Sequence, residues 1–151
     1  MVIQMRPTLI LIALVLSFAA ACNTTGVPTE FGNACAQDLD GKTLEVSGIL
    51  NPRTAIYCSN RGGRMECPFE LTNAAGGEKY ITADVEVGTG ANTVDEIQSG
   101  FKKEDLKVRD NAGNQIVLGT DKVKLTGKMA IAPAAPGGQG VCLMQVYKIE
   151  K

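Results

Sequence analysis

Histidine and tryptophan are both absent from the 151 residues. Without an imidazole there is no Ser-His-Asp or Cys-His relay, and most zinc sites lose a customary ligand. No C-x-x-C pair occurs, so a redox dithiol or a thiolate metal site has no frame. Excess basic charge is missing too: 15 lysines and arginines stand against 16 aspartates and glutamates. Nothing holds a polyphosphate by bulk charge, which argues against nucleic-acid binding. The stretches GGRM and PGGQG do not lead into a helix through GK[ST], so they are not phosphate loops. Residues 110–114 imitate a calcium loop but have neither its alternating acids nor its closing glutamate. Ser59 has no visible base. The chain thus carries no cofactor or metal signature, and it reads as non-catalytic.

One long apolar run is present, LILIALVLSFAAA at 9–21, preceded by the amino terminus and Arg6. Thirteen residues are too few to cross a bilayer core as a helix. A charged start, a short apolar middle and small residues at the end form a secretory signal over residues 1–21. The run has no polar face, which argues against a buried amphipathic helix. Residues 22–30 are small and polar for the most part and read as a flexible tether.

Ala19-Ala20-Ala21-Cys22 resembles the lipobox of bacterial lipoproteins. The likeness covers this stretch alone, and Ala19 stands where that family most often has leucine. It implies a diacylglyceryl group on the Cys22 thiol, cleavage before Cys22, and a domain tied to a membrane of the bacterial cell envelope, facing the periplasm or the exterior. Ala19-x-Ala21 also fits the small-residue rule of an ordinary signal peptidase. The cysteine count favours the lipobox. There are five, and acylating Cys22 leaves Cys35, Cys58, Cys67 and Cys142, enough for two disulfides in an oxidising compartment. Acyl chains contribute about 0.8 kcal/mol per buried methylene, so two or three of them hold a protein firmly to a bilayer. Losing Arg6 with the signal leaves 14 basic residues against 16 acidic, on one domain of ordinary size over 31–151.

Within that domain, period-two alternation marks half-buried strands over 42–50, 79–87 and 123–131. Each puts aliphatic residues on one face; on 79–87, Thr82, Asp84 and Glu86 then face water. A shorter strand over 67–72 joins the second through the glycine-rich turn NAAGG, and the last strand covers 141–150. Thr93-Val-Asp-Glu96 has the spacing of a capping box and predicts a short helix over 94–101. A weaker helix is expected near 29–39, and a hairpin over 106–118 about residues 110–113. Three strands, a short helix, an inserted hairpin and two strands resemble the OB-fold, a small Greek-key barrel. Gly48 and Gly127 fall on inward faces, where a strand bending around a small barrel wants glycine or a bulge. An open β-sandwich is the alternative.

Cys58 and Cys67 bound a ten-residue stretch. A bridge there stabilises the fold by about 3 kcal/mol through loop closure. The remaining pair, Cys35 with Cys142, closes a far longer loop and contributes about 5 kcal/mol on the same reasoning. Four cysteines allow three pairings, so the connectivity stays open.

Arg53, Arg61 and Arg64 cluster around this bridge beside Tyr57. Arginine presents a planar fork to phosphate or carboxylate, and a tyrosine ring can stack a sugar. In OB-folds the connection that holds them borders the binding face. These residues are therefore candidates for a small anionic or saccharide ligand, against the plainer reading of a solvated loop. The whole reads as a lipid-anchored envelope protein with a binding or structural role. The alternatives are an accessory or inhibitory subunit that docks on an envelope protein, and a hydrolase of envelope glycans that uses carboxylates alone.

Overall fold

The structure, a computed structural model, describes residues 25–151. The expected signal segment, its expected cleavage point and Cys22 lie outside the described residues. Among the described residues seven strands form: β1 (Val27–Pro28), β2 (Thr43–Pro52), β3 (Ser59–Arg61), β4 (Arg64–Thr72), β5 (Tyr80–Glu86), β6 (Lys122–Ala132) and β7 (Val141–Glu150). The five long ones close into a barrel in the order β2-β6-β7-β5-β4, with β4 returning to pair with β2. Counted along the chain, that circle runs first, fourth, fifth, third, second, the order of an OB-fold. Its one parallel contact between long strands is β5 with β7, Thr82 opposite Leu143.

The strand pattern explains the core. Leu44, Val46 and Leu50 of β2, Phe69 and Leu71 of β4, Ile81, Ala83 and Val85 of β5, Val123, Leu125 and Met129 of β6, and Met144 and Ile149 of β7 all point inward and are almost fully buried. Burying a side chain such as Phe69 or Leu125 is worth about 1.5–3 kcal/mol each.

The two inward glycines meet the expectation set for them. A β-carbon on Gly48 would lie 2.5 Å from the Thr72 carbonyl oxygen, where β2 leaves β6 for β4. One on Gly127 would collide with the Gln145 carbonyl and the Met144 side chain, beside the β-bulge between Thr126 and Gly127. Both are places where one strand serves two neighbours and backbones close in.

The helix expected over 94–101 does not form. Its intended cap, Thr93, instead gives its hydroxyl to the Gly90 carbonyl at 3.0 Å. Asp95 is engaged by Arg109, with Nη2 to Oδ2 at 2.7 Å. The Asp95 amide donates to the Lys107 carbonyl and the Arg109 amide to the Thr93 carbonyl, so the segment is held extended against residues 107–109. Val94, Leu106, Val108 and Ile116 from this excursion bury into the barrel core. The hairpin expected over 106–118 keeps its turn, with Asp110 Oδ1 accepting from the amides of Ala112 and Asn114, but only a single bridge, Arg109 to Gln115. The weaker helix near 29–39 resolves into two 3-10 turns, Phe31–Asn33 and Gln37–Leu39, and a third 3-10 turn covers Lys103–Asp105.

The tether expected over 22–30 is also shorter than read. Val27 pairs in parallel with Leu44, the Thr29 amide donates to the Glu45 carbonyl, and a β-carbon on Gly26 would strike the β2 backbone. Residues 26–29 therefore belong to the domain. Two disulfides form, Cys35–Cys142 and Cys58–Cys67, the pairing favoured above. The first ties the 3-10 turns to the start of β7. The second ties the approach to β3 to the buried part of β4.

Candidate functional site

The three candidate arginines come together on the outside of β4 and β5, and each meets a carboxylate there. On a closed barrel alternate residues face outward, so β4 displays Glu66, Pro68 and Glu70, and β5 displays Tyr80, Thr82, Asp84 and Glu86. Register places Glu66 opposite Glu86, Pro68 opposite Asp84 and Thr72 opposite Tyr80. Arg53 Nε lies 3.5 Å from Glu70 Oε1. Arg61 Nη1 donates to Asp84 Oδ2 at 2.7 Å. Arg64 Nη1 lies 3.9 Å from Glu86 Oε2. The Arg53 guanidinium also stands 6.0 Å from the centre of the Tyr80 ring. Tyr57 is not part of the assembly: it is 80 % exposed, and the ring beside these arginines is Tyr80.

Two of the acids are buried although they sit on the outer face. Asp84 is 3 % exposed and Glu66 is 5 % exposed. The expectation that Asp84 faces water is thus overturned. The reason is the short β3–β4 hairpin, which turns at Gly62-Gly63 and lets Arg61 reach over to Asp84. Burial raises the Asp84 carboxyl above its ordinary pKa; Arg61 opposes the shift, Glu66 adds to it and Arg53 opposes it. On the other flank, Gln145 of β7 donates from Nε2 to Glu66 Oε1 at 2.9 Å, so a carboxamide and a carboxylate meet over β5.

A shallow groove of about 270 Å³ opens beside this cluster, lined by Arg64, Glu66, Glu86, Asn92, Thr93, Gln145 and Tyr147. It offers guanidinium and amide donors, carboxylate and carbonyl acceptors, and a phenol ring. Three arginines face four carboxylates here, so the face has no surplus positive charge for an anion. Sequence reasoning missed Glu66, Glu70, Tyr80, Asp84, Glu86 and Gln145. Period two placed the β4 and β5 residues outward but carried no sign that a hairpin covers them. Among the described residues no group of histidine, cysteine, aspartate or glutamate could hold a metal ion.

A second groove, of about 520 Å³, is more apolar and runs between Cys58, Met65, Val87, Ile97 and Phe101. Met65, which lines it, is exposed, and Cys58 brings the Cys58–Cys67 bridge to its edge. No protein-family model, curated protein or solved structure matches the chain, so the OB-like order stands as a likeness of topology alone.

Proposed function

We propose that this is a lipid-anchored envelope protein whose barrel binds, without catalysis, a neutral hydroxyl-rich ligand on the outer β4–β5–β7 face, a saccharide being the class that fits. The carrying observation is that every arginine of the face is matched to a carboxylate, at Glu70, Asp84 and Glu86. An anion would have to displace one of them. A sugar hydroxyl instead donates to a carboxylate and accepts from a guanidinium or amide in the same place, and paired charged groups hydrogen-bond more strongly than neutral ones. Tyr80 and Tyr147 supply ring surface at two edges of the face.

The glycan-hydrolase reading is weaker for a physical reason. A general acid needs a raised pKa and contact with the scissile bond. The carboxyl whose pKa is raised, Asp84, lies under Arg61 where a substrate does not reach it.

The chain has three tyrosines and no tryptophan, and two of the three, Tyr80 and Tyr147, border this face, so a Tyr57→Phe background makes tyrosine emission report on it. Titrating the mature protein with neutral N-acetylated oligosaccharides is expected to give a saturable change in that emission. Inorganic phosphate should give none, and Gln145→Ala and Arg64→Ala should each weaken the saccharide response. Saturable phosphate binding that survives both substitutions, or no saccharide response at all, would sink the reading. Anchoring is checked separately by mass spectrometry of the membrane fraction, with an acylated N-terminal Cys22 expected and an unmodified Cys22 fatal to it.

A further inference from the structure

Acylation at Cys22 constrains a second face of the barrel, centred on β6. Lys122, Lys124 and Lys128 alternate along the outer face of β6, and Lys148 stands on β7. Three acids lie among them: Glu45, Glu150 and Glu30, the last lining one groove with Lys122 and Lys124. Lys124 Nζ is 2.9 Å from Glu150 Oε2 and 3.6 Å from Glu45 Oε2, and Lys148 Nζ is 3.0 Å from Glu150 Oε1. Lys122 and Lys128 are exposed, and among the described residues neither has a carboxylate in ion-pair range. Four lysines against three glutamates leave this face positive by one charge, with Lys122 and Lys128 outside any ion pair, although the mature chain as a whole is slightly acidic.

The anchor leads to the same side. The chain leaving β1, at Thr29 and Phe31, lines one open groove of about 580 Å³ together with Lys122 and Lys124. Only residues 23–26 separate Cys22 from Val27. Five Cα steps reach at most about 18 Å whatever their conformation. A domain of this size is roughly 35 Å across. An acylated Cys22 therefore keeps the β1 side within half a diameter of the headgroups. In the closed order, β6 adjoins β2 and β7 and has neither β4 nor β5 as a neighbour.

Resting on the anchored reading, we propose that the lysine face centred on β6, with Lys148 at its β7 edge, lies on an anionic phospholipid surface, with the β4–β5 polar face turned away from the bilayer. The acyl chains supply the affinity, and the lysines choose the orientation. An unscreened lysine near an anionic bilayer favours contact by about fivefold.

The test uses the mature acylated protein in vesicles of phosphatidylglycerol with phosphatidylethanolamine, or of phosphatidylcholine, with lysine acetylation read by mass spectrometry. Acetylation of Lys122 and Lys128 should fall about fivefold on the anionic vesicles relative to the zwitterionic ones. Lys103 and Lys107, in the segment that packs against residues 93–95, should be labelled equally on both. In a Lys122→Glu/Lys128→Glu variant, Lys124 and Lys148 should lose their protection while the protein still floats with the vesicles. Flotation with uniform labelling would overturn the orientation and leave anchoring intact. Failure to float with either vesicle would overturn both.

Discussion

Asp84 is buried on the outside of a barrel, with one guanidinium over it. The Arg61 side chain is itself 56 % exposed, so water can solvate it in any conformation, whereas Asp84 has no such freedom. The pair is therefore unequal. Arg61→Ala leaves a buried carboxylate without its cation and is expected to cost about 2 kcal/mol near neutrality, below a fully buried pair because water enters the vacated site. Urea unfolding would measure this as a lower midpoint at unchanged slope. The loss should shrink on acidification, since a protonated Asp84 no longer needs the guanidinium. Equal loss at both pH values would show that Arg61 acts through packing alone. None of this was readable in KYITADVEV, where Asp84 and Glu86 look alike. What distinguishes them is a side chain 23 positions away, brought over by a two-glycine turn.

Strands were the legible elements because period two is imposed locally by the pleat. The run at 141–150 forms β7 over the very residues expected, and the expected ends of the strands at 42–50, 79–87 and 123–131 lie within two residues of those of β2, β5 and β6. The helix over 94–101 misled because a capping box describes only one way of satisfying Thr93 and its neighbours. Arg109 offered Asp95 a charged fork, and residues 107–109 offered the backbone a ladder, from a distance no local motif records. The disulfide between Cys58 and Cys67 works at this scale also. It fixes the base of the hairpin that carries Arg61. Replacing both cysteines by alanine is expected to lower the melting temperature by about 10 °C through loop closure. It should also speed amide exchange in β3 before that in β5. Uncoupled loss, with β3 as protected as before, would remove the hairpin's dependence on the bridge.

For the molecule as a whole, two sets of carboxyls pull stability in opposite directions with pH. Arg109 lowers the pKa of Asp95, Lys151 that of Asp121, and Lys124 and Lys148 that of Glu150, in each case through direct hydrogen bonds. A depressed folded-state pKa adds stability above the unfolded value, and that stability is lost as pH falls through the folded one. Asp84 is raised, so its sign is reversed: the fold favours its protonated form, and its penalty grows as pH rises from the unfolded toward the folded pKa. Acidification should thus destabilise the barrel overall, with Asp84 working against the trend. Asp84→Asn removes that opposing contribution, so melting temperature should fall more steeply with decreasing pH in the variant than in the parent. Parallel curves would mean that Asp84 does not titrate differently in the fold.

The position of β7 between β6 and β5 governs the order in which the fold can be completed. Any process that delivers the polypeptide from its N-terminus presents Cys35 early and Cys142 only with β7, 107 positions later. Until then the barrel has an open seam, and Phe69, Leu71 and Val85 have no wall on that side. Cys58 and Cys67 emerge almost together, while Cys35 waits through the synthesis of nearly the entire domain with a nearer thiol available at Cys58. Productive maturation thus depends on something that keeps an early sulfur unspent or reshuffles a premature link, and a chain cut short anywhere before its final strand has no finished form to reach.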